Sequence, residues 1–133
     1  MIRKVMTTLV TGLILAAAST QAAVELGVPA QNEAPIHNAA RYGSRAQVEN
    51  LLRADPTVRD IATAYGSTPL HLAALNPDPG PLQALIAAKA PVNARDSDGA
   101  TPMHMAAYAT RTKNAELLLR AGGDPTLKTH IGR

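Results

Sequence analysis

The chain has 133 residues, no cysteine, tryptophan or phenylalanine, three tyrosines and a formal net charge of +3. That length holds one small domain, and the missing cysteines exclude a disulfide framework. Alanine and leucine supply most of the apolar mass, which suits short helices packed closely together rather than the broad core of a sheet-based enzyme.

The first residues read as an export signal. Arg3 and Lys4 form a basic start, Val5 to Ala18 is almost wholly apolar, and small residues follow through Ala22 and Ala23. This order is that of a secretory signal peptide. The apolar run is about 14 residues, shorter than the roughly 20 that span a bilayer, so a cleaved signal over residues 1–23 is expected rather than a retained membrane anchor. The cut falls after Ala22 or Ala23, and the style of the signal fits a bacterial secretory route to the periplasm. Losing Arg3 and Lys4 from the 13 basic residues leaves 11 against 10 acidic ones, a net of +1. Such a balance gives no electrostatic footprint for nucleic acid. Residues 24–33 are a lead-in.

The rest of the chain repeats itself. Ala34-Pro-Ile-His-Asn-Ala-Ala40, Thr68-Pro-Leu-His-Leu-Ala-Ala74 and Thr101-Pro-Met-His-Met-Ala-Ala107 align. A later apolar pair is in phase with each: Leu51-Leu52, Leu85-Ile86 and Leu118-Leu119. Gly66, Gly99 and Gly132 recur every 33 residues. Thr-Pro is a helix start, with the hydroxyl as cap and proline at the first helical position. Paired alanines let a neighbouring helix approach, and the apolar pair lies on the buried face of a second helix. Ser44 and Gln47 form a capping box for that second helix in the first unit. Cations at Arg53, Lys89 and Arg120 suit last turns, and Gly122-Gly123 ends the last helix. Asn76-Pro-Asp-Pro-Gly-Pro81 is a stiff loop, and the turn after the first unit carries one extra residue between Asp55 and Tyr65. The predicted helices are 35–42 and 45–53, 69–75 and 80–88, then 102–109 and 113–121.

This pattern resembles the ankyrin repeat, whose signature is Thr-Pro-Leu-His, two alanines and a later leucine pair. The second unit matches it outright; the third has methionine for leucine, and the first has Ala34 for threonine. The resemblance covers about residues 33–133. It implies an all-α fold, a short ankyrin-repeat solenoid of about three helix-turn-helix repeats (34–66, 67–99 and 100–132) with projecting turns. It also explains His37, His71 and His104, because the equivalent histidine of the family makes structural hydrogen bonds near the helix start. A zinc ion needs its ligands about 2 Å from one point, which one histidine per repeat does not supply. Asp96 and Asp98 lack the further ligands of a calcium loop and read as a solvated turn. No catalytic triad and no phosphate-binding glycine loop is visible, so no catalytic residue, metal or cofactor is assigned.

The resemblance further implies that the turn tips and the exposed side of the first helices form a concave face that binds a protein partner. The positions on it are Arg41, Tyr42, Tyr65, Ser67, Leu75, Asn76, Ser97, Asp98, Tyr108 and His130, with Arg111 nearby. All three tyrosines fall in this set, and tyrosine is enriched in binding hot spots. The expected function is therefore a periplasmic protein-interaction module that grips a folded partner, without enzyme activity. Small exported ankyrin proteins of this look are associated with oxidative-stress defence or toxin immunity. The alternatives are a self-assembling structural component with an uncapped C-terminal repeat, and a small metal-binding protein centred on His130.

Overall fold

A computed structural model describes residues 33–131. The expected signal segment, all of the lead-in except Glu33, and Gly132 lie outside the described residues. Among those described there are six α-helices and no strand: α1 Pro35–Tyr42, α2 Arg45–Ala54, α3 Pro69–Leu75, α4 Gly80–Ala87, α5 Pro102–Tyr108 and α6 Thr112–Arg120. A 3-10 turn, Pro56–Asp60, occupies the stretch that carries the extra residue. These bounds agree with the predicted spans to within one residue at each end.

Local side-chain bonds hold the starts of α1, α2, α3 and α5, whereas α4 and α6 begin without a side-chain cap. Ser44 Oγ accepts from Gln47 N at 3.3 Å while Gln47 Oε1 accepts from Ser44 N at 2.8 Å, the reciprocal box that holds the first turn of α2. Thr68 and Thr101 each accept from the backbone N–H of the histidine three residues on, at 3.4 Å. The histidine returns the bond: His71 Nδ1 accepts from Thr68 N at 3.1 Å and His104 Nδ1 from Thr101 N at 2.9 Å. Where Ala34 replaces threonine, only the return bond exists, His37 Nδ1 accepting from Ala34 N at 2.8 Å. The proline-rich loop holds two short Asx turns. Asn76 Oδ1 accepts from Asp78 N at 2.9 Å, and Asp78 Oδ1 accepts from Gly80 N at 2.8 Å.

The helices form two layers. First helices α1, α3 and α5 pack side by side in one, and α2 packs on α4 in the other. The core between them holds Ile36, Val48, Leu70, Leu82, Leu85 and Leu118, filled out by small Ala40, Ala73, Ala74 and Ala106. The apolar pairs are split rather than jointly buried: Leu85 and Leu118 are buried, whereas Ile86 is half-buried and Leu119 exposed. Adjacent residues on a helix point about 100° apart, so the second and third pairs each turn one member inward, while Leu51 and Leu52 share the contact, both half-buried against the core. Lys89 is also corrected: it lies beyond α4 with φ +67°, a left-handed cap rather than a last-turn cation. Thr110 does the same after α5 with φ +56°. In both caps the next N–H reaches back, Ala90 N to Leu85 O at 3.0 Å and Arg111 N to Ala106 O at 2.8 Å.

Consecutive units are stitched at two levels. At the helix ends, the C-terminal carbonyls that no helical N–H can reach are met by side chains of the following unit. Asn76 Nδ2 donates to Ala40 O and Gly43 O, both at 3.0 Å, at the end of α1. Arg111 Nε donates to Leu75 O at 2.9 Å, and Asn114 Nδ2 to Ala74 O at 3.0 Å, at the end of α3. At the turn tips, Ser97 N donates to Tyr65 O and His130 N to Asp98 O, each at 2.9 Å. The two tip contacts are the same bond one repeat apart.

Candidate interaction surface

The tips are tight reversals. Thr63 N donates to Ser67 O and Asp96 N to Ala100 O, both at 2.9 Å, and Gly66 and Gly99 take φ of +76° and +77°, a region that glycine enters without a Cβ clash. Asp96 spends its carboxylate inside the reversal, accepting from Asp98 N and Ala100 N at 2.9 Å each. That is the solvated-turn role expected of it. Among the described residues no group of three or more histidine, aspartate or glutamate side chains converges to hold a metal ion.

Of the histidines of the repeated motif, His37 and His71 are buried and His104 is half-buried. His71 is buried, and its Nε2 meets Ala100 O at 2.9 Å in the next unit. His37 Nε2 likewise meets Ile61 O. Because Nδ1 of His71 receives an N–H from Thr68, its proton sits on Nε2. Burial, the largest cause, pushes the His71 imidazole below the ordinary value of 6.5, against a smaller opposing pull from the Ala100 carbonyl.

The surface residues divide into groups. Tyr65, Ser97, Asp98, Tyr108 and His130 are all exposed. Ser97 Oγ donates to Tyr65 O at 2.6 Å, and the His130 ring lies over Gly99, where an added Cβ would come within 2.7 Å of Cδ2. Asp98, His130, Tyr108 and Met105 line one cleft of about 520 Å³. Arg41 and Tyr42 form their own pair, the guanidinium 5.3 Å from the ring centre. Tyr42 lines a separate hollow with Pro35 and Leu51. Ser67 is half-buried, its N–H donating to Thr63 Oγ1 at 3.3 Å. Leu75 is half-buried against the core.

One residue of the expected face is misplaced. Asn76 is 3% exposed, and both amide protons are spent on the end of α1. It is a structural cap and is not available to a partner. Arg111, the neighbouring basic candidate, is half-buried with Nε committed to Leu75 O. Met105, outside the expected set, borders the cleft beside Tyr108. The signal was present: residues three apart share a helix face.

The family model for ankyrin repeats (3 copies) matches residues 36–129. Among curated relatives, the tyrosine-protein kinase Shark of Drosophila melanogaster is 36% identical over 106 residues, covering 71% of this chain and 11% of that protein. A poly [ADP-ribose] polymerase tankyrase of Caenorhabditis elegans is 36% identical over 84 residues, 63% of this chain and 4% of the relative. The neurogenic locus notch homolog protein 1 of Mus musculus is 33% identical over 96 residues, 72% of this chain and 4% of the relative. The chain thus spans a small part of these relatives' length, and the likeness carries the repeats alone. Among the described residues no helix is long and apolar enough to cross a membrane. Such a fold is generally a non-enzymatic scaffold. With three matched repeats over most of its length, this chain belongs to the ankyrin-repeat family, and its repeats indicate a protein–protein interaction module.

Proposed function

We propose that this is an exported, periplasmic module that holds a folded protein partner through the concave face of turn tips and first helices, and that it catalyses no reaction of its own. The observation that carries this reading is the exposure of Tyr65 and Tyr108, at 77% and 88%. Both rings stand off the core on rigid supports, one on a hydrogen-bonded turn tip and one at the end of α5. A pre-placed aromatic offers a large apolar area at low entropy cost, which is how hot-spot residues work. The basic and apolar start of the chain supports export. The settings that the resemblance implies, oxidative-stress defence and toxin immunity, supply first partners to try, a haem catalase and a toxin.

The test is an affinity pull-down of the tagged protein from a periplasmic extract, with a Tyr65→Ala/Tyr108→Ala double variant in parallel. A partner retained by the wild type and lost by the folded variant supports the reading. Equal retention by both removes this face from it, and N-terminal sequencing of protein from the periplasmic fraction tests export after Ala22 or Ala23.

A further inference from the structure

The cleft beside Tyr108 has a definite chemical character. At about 520 Å³ it lies within the roughly 300–1,000 Å³ of ligand-holding clefts. Ala100, Met105, Tyr108 and Ile131 line it beside Thr129 and the imidazoles of His104 and His130, and among the described residues no lysine or arginine does. Its one acidic group is Asp98. Unlike Asp96, which is used up inside the turn, the Asp98 carboxylate has no hydrogen bond or ion pair among the described residues.

Neither Arg95, beside the turn, nor Arg111 is paired with it. Arg95 Nη1 donates to Lys128 O at 2.8 Å and to Gly99 O at 3.4 Å, and Arg111 Nε is held by Leu75 O. Asp98 is fixed from both sides of its own backbone, its N–H on Asp96 Oδ1 and its carbonyl on His130 N. A carboxylate unpaired among the described residues is thus held at the wall of a cleft that also presents an aromatic ring.

We infer that this cleft receives a basic–apolar segment of the protein partner, its cationic head at Asp98 and the Tyr108 ring, its apolar part against Met105 and Ile131. The inference rests on the interaction-module reading and names the chemistry of the partner at that face. A cation gains from the carboxylate and from the face of the tyrosine ring together. An acidic segment would bring like charges together and lose affinity. The long stem of lysine or arginine covers apolar surface while its head stays polar, so a single basic residue with one apolar neighbour satisfies both halves of the cleft.

The test titrates the 15N-labelled protein by NMR with two probes of similar length and opposite charge, 4-phenylbutylammonium and 4-phenylbutanoate. The ammonium probe is expected to shift the amides of Ala100, Met105 and Tyr108 saturably and to bind at least about fivefold more tightly than the carboxylate. Asp98→Asn is expected to bring the two within about twofold, and Tyr108→Ala to weaken the ammonium probe. Carboxylate binding as tight as ammonium, a preference that survives Asp98→Asn, or no saturable shift at the cleft overturns the inference. Asp98→Asn added to the pull-down separates the two ideas. A partner lost with the tyrosines but indifferent to Asp98→Asn leaves the module reading standing and sinks the cationic segment.

Discussion

His71 Nε2 donates to the carbonyl of Ala100, 29 residues on, at 2.9 Å, while its Nδ1 accepts from the backbone of Thr68 at 3.1 Å. One imidazole therefore caps its own helix and clips the following turn. Replacing it with alanine leaves the Ala100 carbonyl and the Thr68 N–H without this partner, at a cost of about 1–3 kcal/mol for each group that stays buried. Urea denaturation of His71→Ala is expected to show a loss of that order.

The same ring sets a pH dependence. Its folded value lies below the ordinary 6.5 because burial disfavours the charged form. The unfolded chain then binds more protons in the window beneath 6.5, so stability is flat above that value and declines as pH falls through it toward the folded value. Urea midpoints measured on both sides of 6.5 are expected to fall on the acid side, and less so in His71→Gln.

Gly99 and Gly122 make a matched pair. Both have positive φ, +77° and +98°, but a Cβ on Gly99 would lie 2.7 Å from His130 Cδ2, while one on Gly122 meets nothing within 4 Å. Gly122→Ala is expected to cost about 1 kcal/mol, the backbone penalty alone. Gly99→Ala is expected to cost more and to move the His130 amide resonance.

Thr110 shows the opposite case. A β-branched residue at φ +56° carries strain that glycine escapes. Thr110→Gly is expected to raise stability by about 0.5–1 kcal/mol, after the entropy cost of glycine is subtracted. Thermal melts compared with the wild type check it.

Core and surface should separate cleanly. Leu85 is fully buried, so Leu85→Ala is expected to cost about 2–5 kcal/mol. Tyr65→Ala and Tyr108→Ala should change stability by no more than about 0.5 kcal/mol while weakening the partner by about 1–2 kcal/mol or more. Asn76→Ala is expected to behave like the core variant in kind, losing stability because two carbonyls at the end of α1 lose their donor.

Much of the fold could be read before any coordinates. The three motifs, the helix bounds and the caps at Ser44, Thr68 and Thr101 depend on residues three or four positions apart, and so do the exposed positions of Tyr42, Tyr65 and Tyr108. The motif fixes where each helix begins, and the start of a helix fixes which side chains face out. Asn76 looked like a surface residue for the same local reason, since it follows the last turn of α3.

The sequence by itself determined the repeat, its six helices and the capped starts of α2, α3 and α5, because capping is satisfied within one turn of chain. Only the tertiary structure decided which polar side chains remain free. The carbonyls at the end of a helix have no local donor, and here they are met from the next unit. Asn76 is spent on Ala40, 36 residues away, and Arg111 on Leu75, also 36 residues away. Among the described residues Asp98 keeps its carboxylate free, because the arginine beside its turn donates to backbone carbonyls instead.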